Sequence, residues 1–534
     1  MPLNIRERCQ KVLQCLSQKT QQSLRAIAAA TGIPKSSVHR HLKTIERRQQ
    51  YAESSLWETE EGGNWLRLLV FGVIYCFGIK GGIGAENLSA FFHLLHLEAR
   101  IGCSASALRE LEVQVKEKIV AYGQAQSEMC QGEQPIGICV GADETFYGLP
   151  ILVAVELASG FILSEAECEN RTYETWWEQV RGWVNPEQWD CRFLVSDGAK
   201  ALVKLALSGL GCPSLPDVFH LLYALSKSMG TAIARQRMQL QKQHQALQAK
   251  LKAVSSPAVI YEVEVQITRL QAQQQQLETD HQDYQQSLHA LSQAIHPFDL
   301  KTGESQFGSE LPPRVQVILS NLERLSQTYA PNRAQAALEC WQRQIPDLSL
   351  TLHAWWQWVL QALCSQTQDL DTQHWVLTAL LPWVYWYQQT QKTRQPQLKQ
   401  DYQRATQQAQ ARFLADGFTQ TLTDSEQQHW VDWATWMCAK FQRTSSAVEG
   451  RNGYLSGLHH ANRGFTEQTL KVLTIIHNFD LKRDDGSTAA QRLFGKPFPD
   501  LFESVVLNMG ELPRPRRTLK ARKSKKPTVH AVPA

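Results

Sequence analysis

No CxxC pair occurs among the twelve cysteines, and no Cys/His cluster has the spacing of a zinc site. In a chain of 534 residues, thiols scattered this way read as free and reduced, which argues against a disulfide scaffold or a zinc finger. Also missing is any apolar run close to the roughly 20 residues that a bilayer crossing needs. "LLVFGVIYCFGI" (68–79) and "WVLTALLPWVYWY" (375–387) both stop short of that and read as core segments. The opening "MPLNIRERCQKVLQ" has no apolar signal-peptide stretch, so the expectation is a cytoplasmic protein with no membrane partner. A large net charge is absent too. Lys+Arg number 55 against 51 Asp+Glu, so any affinity for phosphate must come from local patches.

What is present divides into segments, and a prior of about 150 residues per domain suggests three or four. "SLRAIAAATGIPKSSVHRHLKTIERR" (23–48) has an apolar face at Leu24, Ile27 and Ala28, then Gly32 and Pro34, then Val38, Leu42 and Ile45. Gly32 suits a turn with positive φ and Pro34 suits the start of a helix. The layout is that of a helix-turn-helix, with Lys35, Ser36, Ser37, His39 and Arg40 free to face a major groove. Residues 61–130 read as helical. Between 136 and 168 three short Ile/Val/Leu/Cys runs separated by glycine turns read as consecutive antiparallel strands. Helix and strand then alternate to residue 230, which implies an α/β layer with a mixed sheet.

Residues 231–295 are Gln-rich and broken at Ser255-Ser256-Pro257. Val263, Ile267, Leu270, Leu277, Tyr284, Leu288, Leu291 and Ile295 follow alternating steps of three and four, with Gln274 and His281 filling the skipped positions, as one arm of an antiparallel helical hairpin would. The tryptophans of 310–440 read as core. At the far end, "PRPRRTLKARKSKK" carries Arg514, Arg516, Arg517, Lys520, Arg522, Lys523, Lys525 and Lys526 and no acid, a composition suited to phosphate contacts.

Three acids stand out. Asp143 ends the run "IGICVGAD", with Glu144 as its rival, and Asp197 ends "CRFLVSD". On neighbouring strands the two carboxylates would lie side by side, a costly placement unless a cation sits between them. Hard oxygen donors favour magnesium or manganese. The third acid is Glu449 in "RTSSAVEGRNGYL", behind a Ser445 or Ser446 helix cap and ahead of Arg451 and Asn452.

The set Asp143, Asp197 and Glu449 resembles the DDE triad of ribonuclease H-like transposases from bacterial insertion sequences, and "PDVFHLLYAL" resembles the family segment in which a histidine, here His220, lies near the site. The resemblance implies α/β plus all-α architecture: a ribonuclease H-like mixed sheet with an all-helical insertion and an N-terminal helix-turn-helix. The expected divisions are 1–60, a helical linker 61–130, the catalytic domain at 131–230 and 441–500, an insertion 231–440, and a basic tail 501–534. It further implies two Mg2+ (or Mn2+) ions held by the triad, with His220, Arg451 and Asn452 positioning substrate. Double-stranded DNA is the implied partner, the protein acting as a homodimer or larger assembly. A nuclease without strand transfer, an inert DNA-binding descendant and a coiled-coil adaptor are the competing readings.

Overall fold

The computed structural model describes residues 5–515 except 19–21, 49–52, 54–55, 58, 131–133, 331 and 462–463. The tail cations Arg516, Arg517, Lys520, Arg522, Lys523, Lys525 and Lys526 lie outside the described residues.

Helices Ile5–Gln18, Leu24–Thr31 and Lys35–Arg48 close on a small core of Cys9, Val12, Ile27, Ile33, Val38 and Ile45. The Ser23 hydroxyl caps the second helix by accepting from the Ala26 amide. Gly32 ends that helix at φ 67°, its amide donating to the Ala28 carbonyl. A methyl group there would meet nothing within 4 Å, so Gly32→Ala carries backbone strain alone. It is expected to cost about 1–2 kcal/mol, read as a lower unfolding midpoint.

Residues beyond 59 form a second helical layer. Glu60–Val73 runs on through a π turn at Ile74–Lys80 and is followed by Ala85–Leu94 and Ala105–Met129. The helical run 60–80 has 21 residues, longer than the sequence run suggested, and its most apolar 18-residue window has a mean hydropathy of 1.4. Val70, Phe71, Ile74 and Ile79 are nevertheless buried in a core shared with Ile475, Ile476 and Phe479 of the late helix Glu467–Phe479. The core-helix reading therefore holds.

One five-stranded sheet follows: β1 (Ile136–Tyr147), β2 (Leu149–Glu156), β3 (Phe161–Glu167), β4 (Trp189–Ser196) and β5 (Ser214–Pro216). The order is β3-β2-β1-β4-β5, with β2 antiparallel to its two neighbours and β4 and β5 parallel to β1. The expectation that the first strand stops at Asp143 needs correction. Pairing with β4 ends at Gly141, but pairing with β2 continues to Tyr147↔Leu149, because the hairpin turns tightly through Gly148. Asp143 thus sits within the strand, where one neighbour has fallen away and the other has not.

The alternation of side chains along β1 settles which way Asp143 faces. Ile138, Val140 and Ala142 pack with Trp176 and Leu202 on one face. Cys139 packs on the other, with Val153, Phe193, Val195, Val448 and the tryptophan-rich helices. Gly141 lies on that second face, where a β-carbon would come 2.4 Å from Leu157 Cδ2 and 3.1 Å from Val448 Cγ2. Its missing side chain is what lets the helix Ser446–His460 approach β1.

The helical region 231–440 contributes to two cores. The hairpin Thr231–Ala253 and Pro257–Ala294 packs with Leu311–Tyr329, burying Val263, Leu270, Leu277, Tyr284 and Leu291 as the seam requires. Asp280 is buried beside the seam and accepts from Tyr329 Oη at 2.6 Å, a consequence of the third helix that the seam did not reveal. Trp355, Trp356, Trp358, Trp375 and Trp386 share the core of the sheet itself. Half of the expected insertion is therefore the second layer of the α/β unit.

Candidate active site at the carboxyl ends of the parallel strands

Register puts three acids at one level. Gly141 pairs with Val195, so Asp143 and Asp197 each lie two residues beyond a matched pair. Ser196 pairs with Pro216, which sets Asp217 beside Asp197. The carboxyl ends of adjacent parallel strands are where open α/β sheets bind ligands.

The carboxyl of Asp143 is buried enough to raise its pKa to about 7; Glu449, Glu144 and Asp197 add repulsion, while the Glu144 backbone amide opposes it. Asn452 Nδ2 donates to Asp143 Oδ2 at 3.1 Å, and the Tyr147 hydroxyl donates to the Asn452 carbonyl at 3.1 Å. Asp197 is exposed, and its Oδ1 accepts from the Ala199 amide at 2.8 Å as the chain leaves the sheet through Gly198 at φ 83°. Glu144 ion-pairs with Arg171 instead, which leaves Asp143 as the β1 acid of the site.

Glu449 arrives from some 250 residues downstream because its segment is fastened to the end of β5. Asp217 Oδ2 accepts from both the amide and the hydroxyl of Ser445, and the Val218 amide donates to the Arg443 carbonyl at 3.0 Å. Asp217 Oδ1 meanwhile caps the helix Val218–Leu225 through the Phe219 and His220 amides. The expected serine cap is thus only half right: Ser445 stands at the N-cap position, but its hydroxyl serves Asp217. Burial opposes the charge on Asp217, yet the adjacent His220 imidazole and the hydrogen bonds from Ser445 leave its pKa below the usual range.

His220 bridges the two chain segments. Its Nδ1 lies 3.3 Å from Asp217 Oδ2, off the line of a good hydrogen bond, and its Nε2 lies 3.7 Å from Glu449 Oε1. The Asp217 carboxylate lifts the imidazole pKa to about 9 against partial burial, with Glu449 and Asp143 assisting. The acids around it thus favour the charged form of the His220 imidazole.

Arg451 is not in the site, which corrects its expected role in steering phosphate. Its side chain is buried, with Nε and Nη2 each donating to Glu165 of β3 at 2.7 Å. Val448, Arg451, Leu455 and Leu458 form the inward stripe of the helix, so the guanidinium points into the sheet. Asp217 is the residue whose part the sequence left unread. An aspartate just ahead of the apolar "VFHLLYAL" is an N-cap signal, but its second oxygen is used by Ser445, 228 residues away.

Among the described residues no group of three or more His, Cys, Asp and Glu side chains stands at metal-holding separation. The donor set still suits a hard cation, because the acids repel one another across Asp143 and present oxygen. Two contacts keep it from being a ready cage: Asp197 is turned to its own loop, and Glu449 leans toward His220.

In the N-terminal unit Lys35, Ser36, His39 and Arg40 are exposed on the third helix and Ser37 is half-buried, its hydroxyl accepting from Arg40 Nη2 at 3.2 Å. Residues 7–50 match the IclR helix-turn-helix domain, and residues 376–521 match a family of unknown function, DUF6399. No curated protein and no solved structure matches the chain. The N-terminal unit is thus a helix-turn-helix of DNA-binding type. Arg40→Ala is expected to weaken binding to the preferred DNA sequence by about 1–3 kcal/mol and to spare non-specific binding, as titration at fixed salt would show.

Proposed function

We propose that the chain is a metal-dependent DNA transposase that cuts the ends of an element and joins the freed 3′-hydroxyl to target DNA. What supports the reading is the strand register that sets Asp143 and Asp197 level on adjacent parallel strands, together with the repulsion that Asp197 and Glu449, from a helix far along the chain, exert on the Asp143 carboxyl. A sheet order of β3-β2-β1-β4-β5 is the one expected of a ribonuclease H-like domain, and a helix-turn-helix supplies a means of finding element ends.

Asp143, Asp197 and Glu449 would hold two Mg2+ or Mn2+ ions, which supply an activated water or hydroxyl and neutralise charge on the leaving oxygen. The chain's own groups do the rest. Asn452 fixes the Asp143 carboxylate, Asp217 holds the loop that delivers Glu449, and the His220 imidazolium offers a positive charge to a phosphate. Arg451 acts only through the placement of its helix on β3.

Incubating the full chain with DNA carrying its element ends tests the reading. Nicks bearing 3′-hydroxyls, followed by strand joining, are expected with Mg2+ or Mn2+ and not with EDTA. Nicks without joining would reduce the reading to a nuclease, and cleavage indifferent to EDTA would contradict it.

A further inference from the structure

Helix Val218–Leu225 passes through a π turn at Ser226–Gly230 into Thr231–Ala253, so one helical path leads from the site to the tip of the hairpin. Residues 218–253 contain Lys227, Arg235, Arg237, Lys242, Lys250 and Lys252 and no acid. The returning arm, Pro257–Ala294, is the reverse, with five acids and a single arginine. Attraction between the arms accounts for part of this, since Arg237 reaches Glu278 at 3.2 Å. The remaining five cations of the outgoing arm are exposed. At about 1.5 Å per residue, Lys227 to Lys252 spans roughly 38 Å.

The near end of the path carries aromatics where burial would be ordinary. Phe219 and Tyr223 are each 54% exposed, one turn apart, with ring centroids 6.1 Å apart and an interplanar angle of 19°. Lys227 Nζ lies 6.0 Å from the centre of the Tyr223 ring. His220, on the same turn as Phe219, is the residue that faces Glu449.

Aromatic faces beside the acids, followed by a one-signed cationic track, are the two components of a single-strand binding surface. We infer that the helical path from Val218 to Ala253 receives unpaired DNA at the site, its bases stacking on Phe219 and Tyr223 and its phosphates following the basic arm. Unpaired strand is specified because only an unstacked base offers its face to a ring. The inference rests on the reading of the site as one that acts on DNA.

The test is binding by the full chain in EDTA, which separates it from catalysis. Probes are a duplex with a 3′ single-stranded overhang and the same duplex blunt-ended. Phe219→Ala with Tyr223→Ala should weaken overhang binding about tenfold or more and leave blunt binding nearly unchanged. Lys227→Gln, Arg235→Gln and Lys242→Gln together should lower the slope of log affinity against log salt for the overhang by about 2, at about 0.7 per phosphate. All five positions are exposed, and unchanged thermal midpoints check the fold. Unaltered overhang affinity in the aromatic variant, or an unaltered slope in the basic one, would overturn the inference. Both losses in a chain that never cleaves DNA would support the surface and contradict only the transposase reading.

Discussion

Asp197→Asn should lower Mg2+-dependent cleavage about a hundred- to a thousandfold, the scale of losing one preorganised electrostatic group from an active site. Asp143→Asn should do the same. Neither loss comes from unfolding. Asp197 is exposed and its turn needs only an oxygen acceptor, which asparagine retains. For Asp143 the stability argument has a definite sign. Its pKa is raised to about 7, so between the usual carboxylate range and pH 7 the folded protein keeps a proton that the unfolded chain releases. Stability due to this residue therefore falls as pH rises through that window. Asparagine removes the dependence, so the unfolding midpoint of Asp143→Asn should hold or rise above pH 7 while cleavage disappears. Cleavage near the original rate in either variant would take that residue out of the chemistry.

Arg451→Met should be the most destabilising single change near the site. It leaves the Glu165 carboxylate, fully buried on β3, with the Thr474 hydroxyl at 2.9 Å but no countercharge. Breaking a buried pair from one side costs about 3–5 kcal/mol, whereas replacing both partners with apolar residues is often close to neutral. Arg451→Met combined with Glu165→Met should accordingly regain most of the lost midpoint. The pairing also sets where the helix Ser446–His460 docks, so the single variant should lose cleavage along with stability, and the double variant should recover part of both. An arginine that instead steered phosphate would leave the midpoint unchanged and weaken DNA binding alone.

Particular residues show how far the sequence reached. The helix-turn-helix was legible because its signals are local: an apolar stripe, a glycine at the left-handed turn, and a proline opening the next helix. The three antiparallel strands were legible from β-branched runs between glycine turns. The end of β1 was not, because Asp143 and Glu144 look like strand-ending polar residues, whereas the strand is prolonged by its hairpin with β2. Glu449 could be picked out from its polar neighbourhood, but what carries it to the sheet could not: the Ser445–Asp217 bonds join residues 228 apart and leave no periodic trace. Arg451 was misplaced for a different reason. Its position in the stripe Val448, Arg451, Leu455, Leu458 marks it as inward-facing, and its charge drew attention away from that spacing. The tryptophans were rightly assigned to a core, but whether that core was their own or the sheet's depended on contacts between distant segments.

The central claim is that folding gathers Asp143, Asp197 and Glu449 to share divalent cations. Calorimetric titration of the full chain with Mn2+, repeated on Asp143→Asn and Glu449→Gln, tests it most directly. The account predicts binding to the unaltered chain that each substitution weakens, because each removes an oxygen donor from the same site. Mn2+ binding that is identical in all three proteins, or absent from the unaltered chain when its DNA is bound, would contradict it.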